Sequence, residues 1–524
     1  MVGDANLQGA AAWLGCTLSE SSGQLQTQLS MAVHTHPLVL RGRKLYIDAL
    51  RHNSSRFEDS WNKRFDRIHA LEQELVPFLE QGAAQKDDLE EDALGQLSFQ
   101  HDLLKPLNHI PWLLAAIAIF KVWMVPAMTV FFPLLAWILP YLLLKFVYTL
   151  PISQEQYFGI LKSLWSGTLG SSIELGADGL PQLPSFWNSK SLLQMALFGF
   201  SFAQSLIQPI QTAMHLHKTD RLFWKAGEQL LELRALIKAF QADIAAAKLP
   251  PLKICAGLDE LDPLDYRRAF ILVKEQPQRL FITLKDMANL EILWRIALKR
   301  ELQPTIFKRT EFKFRNLMDI SIESDVVVRS GLELEFGKQS HAVITGPNGG
   351  GKSSFLRAVL QAVLFGHTCG YVPAERSVMP RFLWIASGLQ LRDTPGKMSM
   401  FETEVSYAAR CLKQATSGAA PGLVLFDELF HSTNPPDGAR TAQLFLSSLW
   451  KCDATFSIVS THVFPLVERA PAQSVKAICC PATEKGGDVE YSYGVQPGIC
   501  RVSSVKKVWE KFGLQGAPAQ GAAS

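Results

Sequence analysis

The sequence predicts a helical first half joined to an α/β second half that carries a phosphate-binding loop. Three observations predict this. Apolar residues recur at helical spacing between 26 and about 302. A glycine-rich loop at 346–353 lies between a strand-like run and a helix-like run. Beyond it, apolar strands end in Asp427-Glu428 and in Ser460-Thr461-His462. Inside the helical half, the composition turns sharply apolar over 109–214, a hydrophobic helical insertion.

Residues 1–25 are small and polar and read as a flexible N-terminus. Residues 26–108 read as helices. Leu38, Leu40, Leu45, Ile47 and Leu50 are interleaved with Arg41, Arg43, Lys44 and Arg51. Phe65, Ile68, Leu71, Leu75 and Phe78 then form one apolar stripe, and 86–92 reads as an acidic turn or linker.

Residues 122–144 carry no charge over 23 positions. As a helix they reach about 34 Å, against a bilayer core of about 30 Å. Trp112, Trp123, Trp137 and Tyr141 suit membrane interfaces. Pro126, Pro133 and Pro140 predict kinks in one long helix, or the turn of a short hairpin. A second uncharged stretch, 191–214, holds Gln194, Gln204, Gln208 and Gln211 and is the weaker candidate. Two readings stand for 110–148 and 191–214: membrane spans, or a buried helical hairpin.

From 215 to 305 the helices return. Leu222, Ala226, Leu230, Leu233, Ile237, Phe240 and Ile244 step by three or four and form a single face. Pro250 and Pro251 stop that helix, and Pro304 marks the passage to an α/β domain at 306–515. Residues 516–524 read as a flexible tail.

Composition narrows the function classes. Of 524 residues, 48 % are hydrophobic and 19 % charged, below the usual ~25 % charged, which excludes a disordered chain. The net charge is +3, so nucleic-acid contact requires a local patch. The eight cysteines contain no C-x-x-C pair, and Cys479 adjoins Cys480, which points to a reducing intracellular compartment, cytoplasmic or nuclear. Asp4 and the lack of a basic, then apolar, start predict no secretory signal.

Gly346-Pro347-Asn348-Gly349-Gly350-Gly351-Lys352-Ser353 fits G-x-x-x-x-G-K-[ST]. Glycines let backbone N–H groups close around phosphate oxygens, Lys352 supplies charge to the β/γ-phosphates, and Ser353 offers a hydroxyl to Mg²⁺. Ser354 opens the following helix, whose N-terminus favours anions. Asp427 is the expected metal-side carboxylate and Glu428 the expected general base. His462 is positioned to sense a γ-phosphate. Two basic clusters, Lys308/Arg309/Lys313/Arg315 and Arg41/Arg43/Lys44/Arg51, are candidates for phosphate or lipid headgroups, or solvated faces.

The loop 346–353 is similar to the loop of the MutS family, a branch of the ABC-class P-loop ATPases acting in DNA mismatch repair. Gly370-Tyr371-Val372-Pro373-Ala374, Ser399-Met400-Phe401-Glu402-Thr403-Glu404, Asp427-Glu428 with Thr433 and Asp437-Gly438, and Ser460-Thr461-His462 resemble that family's successive ATPase signatures. Pro497-Gly498, Ser503 and Phe512-Gly513-Leu514 echo its end. The strong resemblance covers about 310–515. His36-Pro37-Leu38-Val39-Leu40-Arg41-Gly42-Arg43 and 215–303 more weakly resemble the family's core-lever domain. No region resembles its mismatch-reading or connector domains, so a truncated MutS-like protein is expected. Phe430-His431-Ser432 replaces the family's Gly-Arg-Gly, and Asn434-Pro435-Pro436 is stiffer than usual.

The resemblance implies ATP and Mg²⁺ as cofactors and a homodimer whose two sites complete each other. Ser399 would reach the partner's γ-phosphate, and Asp437 would lie at the seam. The base-stacking residue should lie shortly before the first strands of the domain; Phe312 or Phe314 fits that place, but core or exposed filler is the favoured reading of each. Two functions follow: an ATPase clamp that moves its levers on DNA, or a membrane-anchored ATPase of the same class that does not recognise mismatches.

Overall fold

The computed structural model describes residues 1–84, 97–99, 101, 103–165, 189–251, 258–259, 261, 265–322, 328–391, 398–418, 421–485 and 488–502. The acidic stretch 86–92, Ser503, Phe512-Gly513-Leu514 and the tail 516–524 lie outside them. The chain divides into two units. One combines Met1–Glu72, Ala239–Ile254 and Ile282–Ser524; the other combines Gln73–Lys238 and Cys255–Phe281.

In the first unit, residues 1–25 are not a flexible leader. They form helices Ala10–Leu14 and Ser19–Ser30, with Ala5, Leu7, Leu14, Leu18 and Leu25 buried. Small residues permit close packing, and polar ties fix the segment. The buried carboxylate of Glu291 accepts from Thr17 N (2.7 Å), Leu18 N (3.0 Å) and Ser21 Oγ (2.7 Å). Ser387 Oγ donates to Asp4 at 2.6 Å, and Gln361 Nε2 donates to the Ala5 carbonyl at 2.8 Å.

The stripe Phe65, Ile68 and Leu71 is buried as its spacing requires. Trp61 sits at the centre of an aromatic cluster, with ring centroids 4.9 Å from Phe240 and 5.0 Å from Trp294. Its indole N–H donates to Asp243 at 3.0 Å, and Arg64 pairs with the same carboxylate at 2.6 Å. A buried indole with its donor satisfied contributes area without a desolvation penalty.

The basic cluster on the helix Pro37–His52 is structural. Arg43 donates to Thr368 O (3.0 Å) and Lys44 to Thr305 O (2.7 Å). Arg51 donates to four carbonyls at the end of the helix Gln278–Leu298 and just beyond: Ile296, Ala297, Lys299 and Leu302, at 2.9–3.2 Å. Its guanidinium also lies 4.7 Å from the Tyr371 ring centroid. Helix ends leave carbonyls without intrahelical partners, and a planar cation with five donors is suited to several at once. Of this cluster only Arg41 stays exposed.

The α/β expectation is met by a mixed six-stranded sheet. Its order is Gln496–Pro497, Val475–Cys479, His341–Thr345, Thr455–Ser460, Gly422–Phe426 and Trp384–Gly388. All neighbours are parallel except the first pair. Strands 341–345, 422–426 and 455–460 are buried throughout, the continuous apolar pattern of a sheet covered on both faces. A second sheet orders Ile306–Phe307, Arg376–Met379, Glu311–Leu317 and Ser330–Glu335. Phe312 and Phe314 belong to its core, at 0 % and 4 % exposure.

In the second unit, Pro111–Ile119, a π turn at Phe120–Met124, Val125–Leu142 and a π turn at Leu143–Val147 follow without a break. The prolines therefore mark no hairpin turn. The two π turns flank the proline-bearing helix Val125–Leu142. A single helix, Ser189–Ala246, runs 58 residues through Pro209, so the expected boundary at 214/215 falls inside it. On its face, Ala226, Leu230 and Leu233 are buried, but Leu222 is 37 % exposed and Phe223 takes its place, stacked 4.6 Å from Phe270.

Replacing Arg51 by Ala leaves four carbonyls short of a charged donor and should cost about 2–3 kcal/mol. Arg41→Ala should cost under ~0.5 kcal/mol. The midpoints of urea unfolding of the two full-length variants, followed by tryptophan fluorescence, check this contrast.

Candidate functional site

Three parallel strands deliver the sequence motifs to one place. Neighbours 341–345, 455–460 and 422–426 are in register, so their carboxyl ends open on the same edge. Open parallel sheets bind ligands at that edge. The loop 346–351 leaves the first strand, Thr461-His462 the second and Asp427-Glu428 the third.

The loop conformation requires glycine. Gly346 has φ +143°, and a Cβ there would lie 2.7 Å from the Cys480 carbonyl oxygen. Gly351 has φ +103° and ends the loop where the helix Lys352–Cys369 begins. Lys352 is buried, and its ammonium donates to the carbonyls of Gly346 (2.9 Å) and Pro347 (3.2 Å) and to Asn348 Oδ1 (3.4 Å). Burial lowers its pKa, opposed by the charges of Glu428 and Asp427.

His462 bridges the two sides. Its Nε2 lies 3.4 Å from Lys352 Nζ and 3.2 Å from Glu428 Oε1. One ring nitrogen either accepts or donates, so the imidazole faces Lys352 in one tautomer and Glu428 in the other. The hydrogen bond from His462, then the charges of His462, Lys352 and His431, hold the Glu428 carboxyl below the usual range against its partial burial. Ser460 organises both acids. Its Oγ donates to Asp427 Oδ1 at 2.5 Å and accepts from the Glu428 N–H at 2.8 Å.

Glu428 and Phe430 have φ +49° and +55°, unusual for residues with a Cβ. Phe430 is buried against Phe401 and Phe445, so its ring packing offsets the backbone cost of standing where a glycine suits best. The sequence analysis did not place Glu404 in the site. Its buried carboxylate accepts from Ser432 Oγ at 2.6 Å and lies 3.1 Å from His431 Nδ1, fixing the turn behind Glu428.

A cavity of about 490 Å³ adjoins these groups. The loop residues with Lys352, Ser353, Ser354 and Glu428 contribute part of the lining; the rest is mostly apolar, from Leu317, Ile322, Val328, Phe355, Ala358 and Tyr493, with Asp319 and Ser330 as its polar members. Gly346, Gly350, Asp427 and His462 are not among the lining residues; His462 is joined to the cavity through its contacts with Lys352 and Glu428. Phe312 and Phe314 do not line it; both are buried, which agrees with the favoured core reading. Tyr493, half exposed, is the aromatic residue the sequence reading missed; no spacing rule tied it to the loop.

Ser399 and Asp437 are not brought to this cavity. Ser399 is exposed and caps the helix Met400–Thr416 in a reciprocal pair with Glu402. Asp437 is exposed in the first turn of Pro435–Leu449, bonded to the cap residue Asn434. Pro435 fits the first turn, where no N–H is required. Three of the four basic residues at 308–315 are paired at the surface, Lys308 and Lys313 with Glu311 and Arg315 with Glu375, and Arg309 is exposed. This favours the solvated-face reading.

Comparison with known proteins bears on the same region. Residues 342–519 match the family model described as MutS domain V. Over 181 residues, 34 % of this chain, the sequence is 35 % identical to the "DNA mismatch repair protein MSH1, mitochondrial" of Arabidopsis thaliana. The match spans 16 % of that protein's length.

A Gly346→Ala variant should lose ADP affinity by about tenfold or more, because a Cβ there strains the loop by roughly 1–3 kcal/mol. Isothermal titration beside a thermal melt separates loss of the loop from loss of the fold.

Proposed function

We propose that the chain, whose residues 342–519 match the model of MutS domain V, binds ATP with Mg²⁺ and hydrolyses it in a homodimer, in a MutS-like role on DNA. The observation that carries the reading is that His462 Nε2 lies 3.4 Å from Lys352 Nζ and 3.2 Å from Glu428 Oε1, while Lys352 and Glu428 both line a cavity of about 490 Å³.

Phosphate oxygens entering the loop replace the carbonyls now held by Lys352, which puts the ammonium on the β/γ-phosphates. Loop N–H groups and the start of the helix Lys352–Cys369 complete an anion cradle. The apolar wall and Tyr493 offer the base a dry surface. Glu428, ionised at neutral pH, accepts a proton from the attacking water. His462 donates to Glu428 or accepts from Lys352, and so links base and phosphate.

The donor set fits Mg²⁺: Ser353 offers a neutral hydroxyl in the cavity and Asp427 a carboxylate held by Ser460. When bound, the ion neutralises charge on the β- and γ-oxygens. Ser399 and Asp437, exposed and away from the cavity, are free to meet a second copy. The relative's printed name, a DNA mismatch repair protein, supports the DNA role.

Lys352→Ala should abolish ATP binding. Glu428→Gln should keep binding, slow turnover by about 100-fold or more and accumulate an ATP-bound dimer, read by single-turnover assay and light scattering. Normal turnover by the Gln variant removes Glu428 from the role of base. The rate falls as pH drops through the pKa of that base. Because His462 lowers this pKa, His462→Ala should move the acid limb of the kcat/KM profile upward, toward the ordinary carboxylate range. An unmoved limb excludes that coupling.

A further inference from the structure

The two uncharged stretches found in the sequence meet at one level of the second unit. Trp123 and His217 pack ring to ring at 5.7 Å. Burial stops at that level on both helices. Leu114, Ala118 and Val122, one stripe at i, i+4, i+8, are buried, and from 123 to 148 no described side chain is. On the other helix Leu216 is buried, and from 196 to 215 no described side chain is. An apolar groove at the junction is lined by Val122, Trp123, Val130 and Phe131 of one helix and by Ile210 and His217 of the other. With Trp123 facing His217, the sharing of Phe131 and Ile210 means that the helices run antiparallel.

Beyond the junction the two helices match. Residues 122–144 hold 23 positions without charge, bounded by Lys121 and Lys145. Residues 191–214 hold 24, bounded by Lys190 and, past His215 and His217, by Lys218. At 1.5 Å per residue these rods are about 34 and 36 Å long, the span of a bilayer core with modest tilt. Both bounding lysines of the first rod sit in its π turns. At the far end Lys145 lies beside the Tyr141 ring, and Tyr141 packs on Tyr157 at 5.1 Å, a cationic and aromatic rim. Exposed on the rods are Phe131 (59 %), Phe132 (57 %) and Phe200 (69 %). Water makes such a surface unfavourable, and soluble monomers rarely expose a contiguous apolar patch beyond a few hundred Å².

We propose that these two helices form an antiparallel hairpin that crosses a lipid bilayer, with its entry level at Lys121 and His217 and its far level at Lys145 and Lys190. The occupant of the apolar surface is lipid hydrocarbon. The four glutamines of 191–214 are few enough for a span whose partner stretch, 122–144, is uncharged and mostly apolar, and interior prolines are tolerated in membrane helices. The proposal does not depend on ATP hydrolysis.

The test uses the full chain expressed in cells. Membranes are isolated, washed with alkaline carbonate and then extracted with detergent. The chain and its Lys352→Ala variant should both stay in the carbonate pellet and enter detergent. On sealed vesicles a membrane-impermeant maleimide, scored against the parent chain, should label Ser153→Cys and Lys218→Cys from opposite sides. Phe131→Arg/Phe200→Arg should move at least about tenfold more chain to the soluble fraction, with ATP affinity kept as the check on folding. Release of the parent chain by carbonate overturns the proposal, as does a soluble dimer burying the same residues. Labelling of both cysteines from one side overturns it too, since the helices then lie on a surface.

Discussion

The parallel register of three strands is the constraint on which the site depends. The ends of 341–345, 422–426 and 455–460 lie side by side, so residues more than a hundred positions apart share one edge. A buried ammonium, an imidazole and a carboxylate then stand within hydrogen-bond reach. None of these groups is stable there alone. Lys352 loses hydration and regains it from loop carbonyls, and Glu428 is held charged by the groups around it. Such a site is poised for an anion because its positive charge is already desolvated.

The same unit ties its helical part to the far end of the loop helix through polar contacts. Arg43 and Lys44 hold the helix Pro37–His52 to the carbonyls of Thr368 and Thr305, next to the far end of the helix that the loop opens. Asp48 accepts from Tyr371, and Arg51 lies over the same ring. The loop helix and the 37–52 helix are therefore physically continuous. The cluster that looked suited to DNA or lipid is spent on this joint.

The second unit obeys another solvent logic. Its helices bury an apolar stripe up to Val122 and Leu216 and then stop burying anything described. Within one chain the two regimes meet at the Trp123–His217 contact. Composition alone records that both stretches lack charge. It does not record that they begin at the same height and run antiparallel.

Local physics made some features legible. A loop that requires positive φ must be glycine-rich, a sheet covered on both faces must read as unbroken apolar runs, and a helix stripe must recur every three or four residues. Gly346 to Ser353, Asp427, Glu428 and His462 were visible in this way, as was the stripe from Phe65 to Leu71. Other features are set by partners distant in sequence. Residues 1–25 look loose until Glu291 and Gln361 take their backbone groups. Phe312 is open to two readings until the sheet buries it, and Tyr493 and Glu404 reach the site only through the chain's return. The sequence determined which groups are able to do chemistry, because their spacing is local. The tertiary structure decided which groups meet and which basic clusters are already occupied, because burial and pairing belong to neighbours that the order of residues does not name.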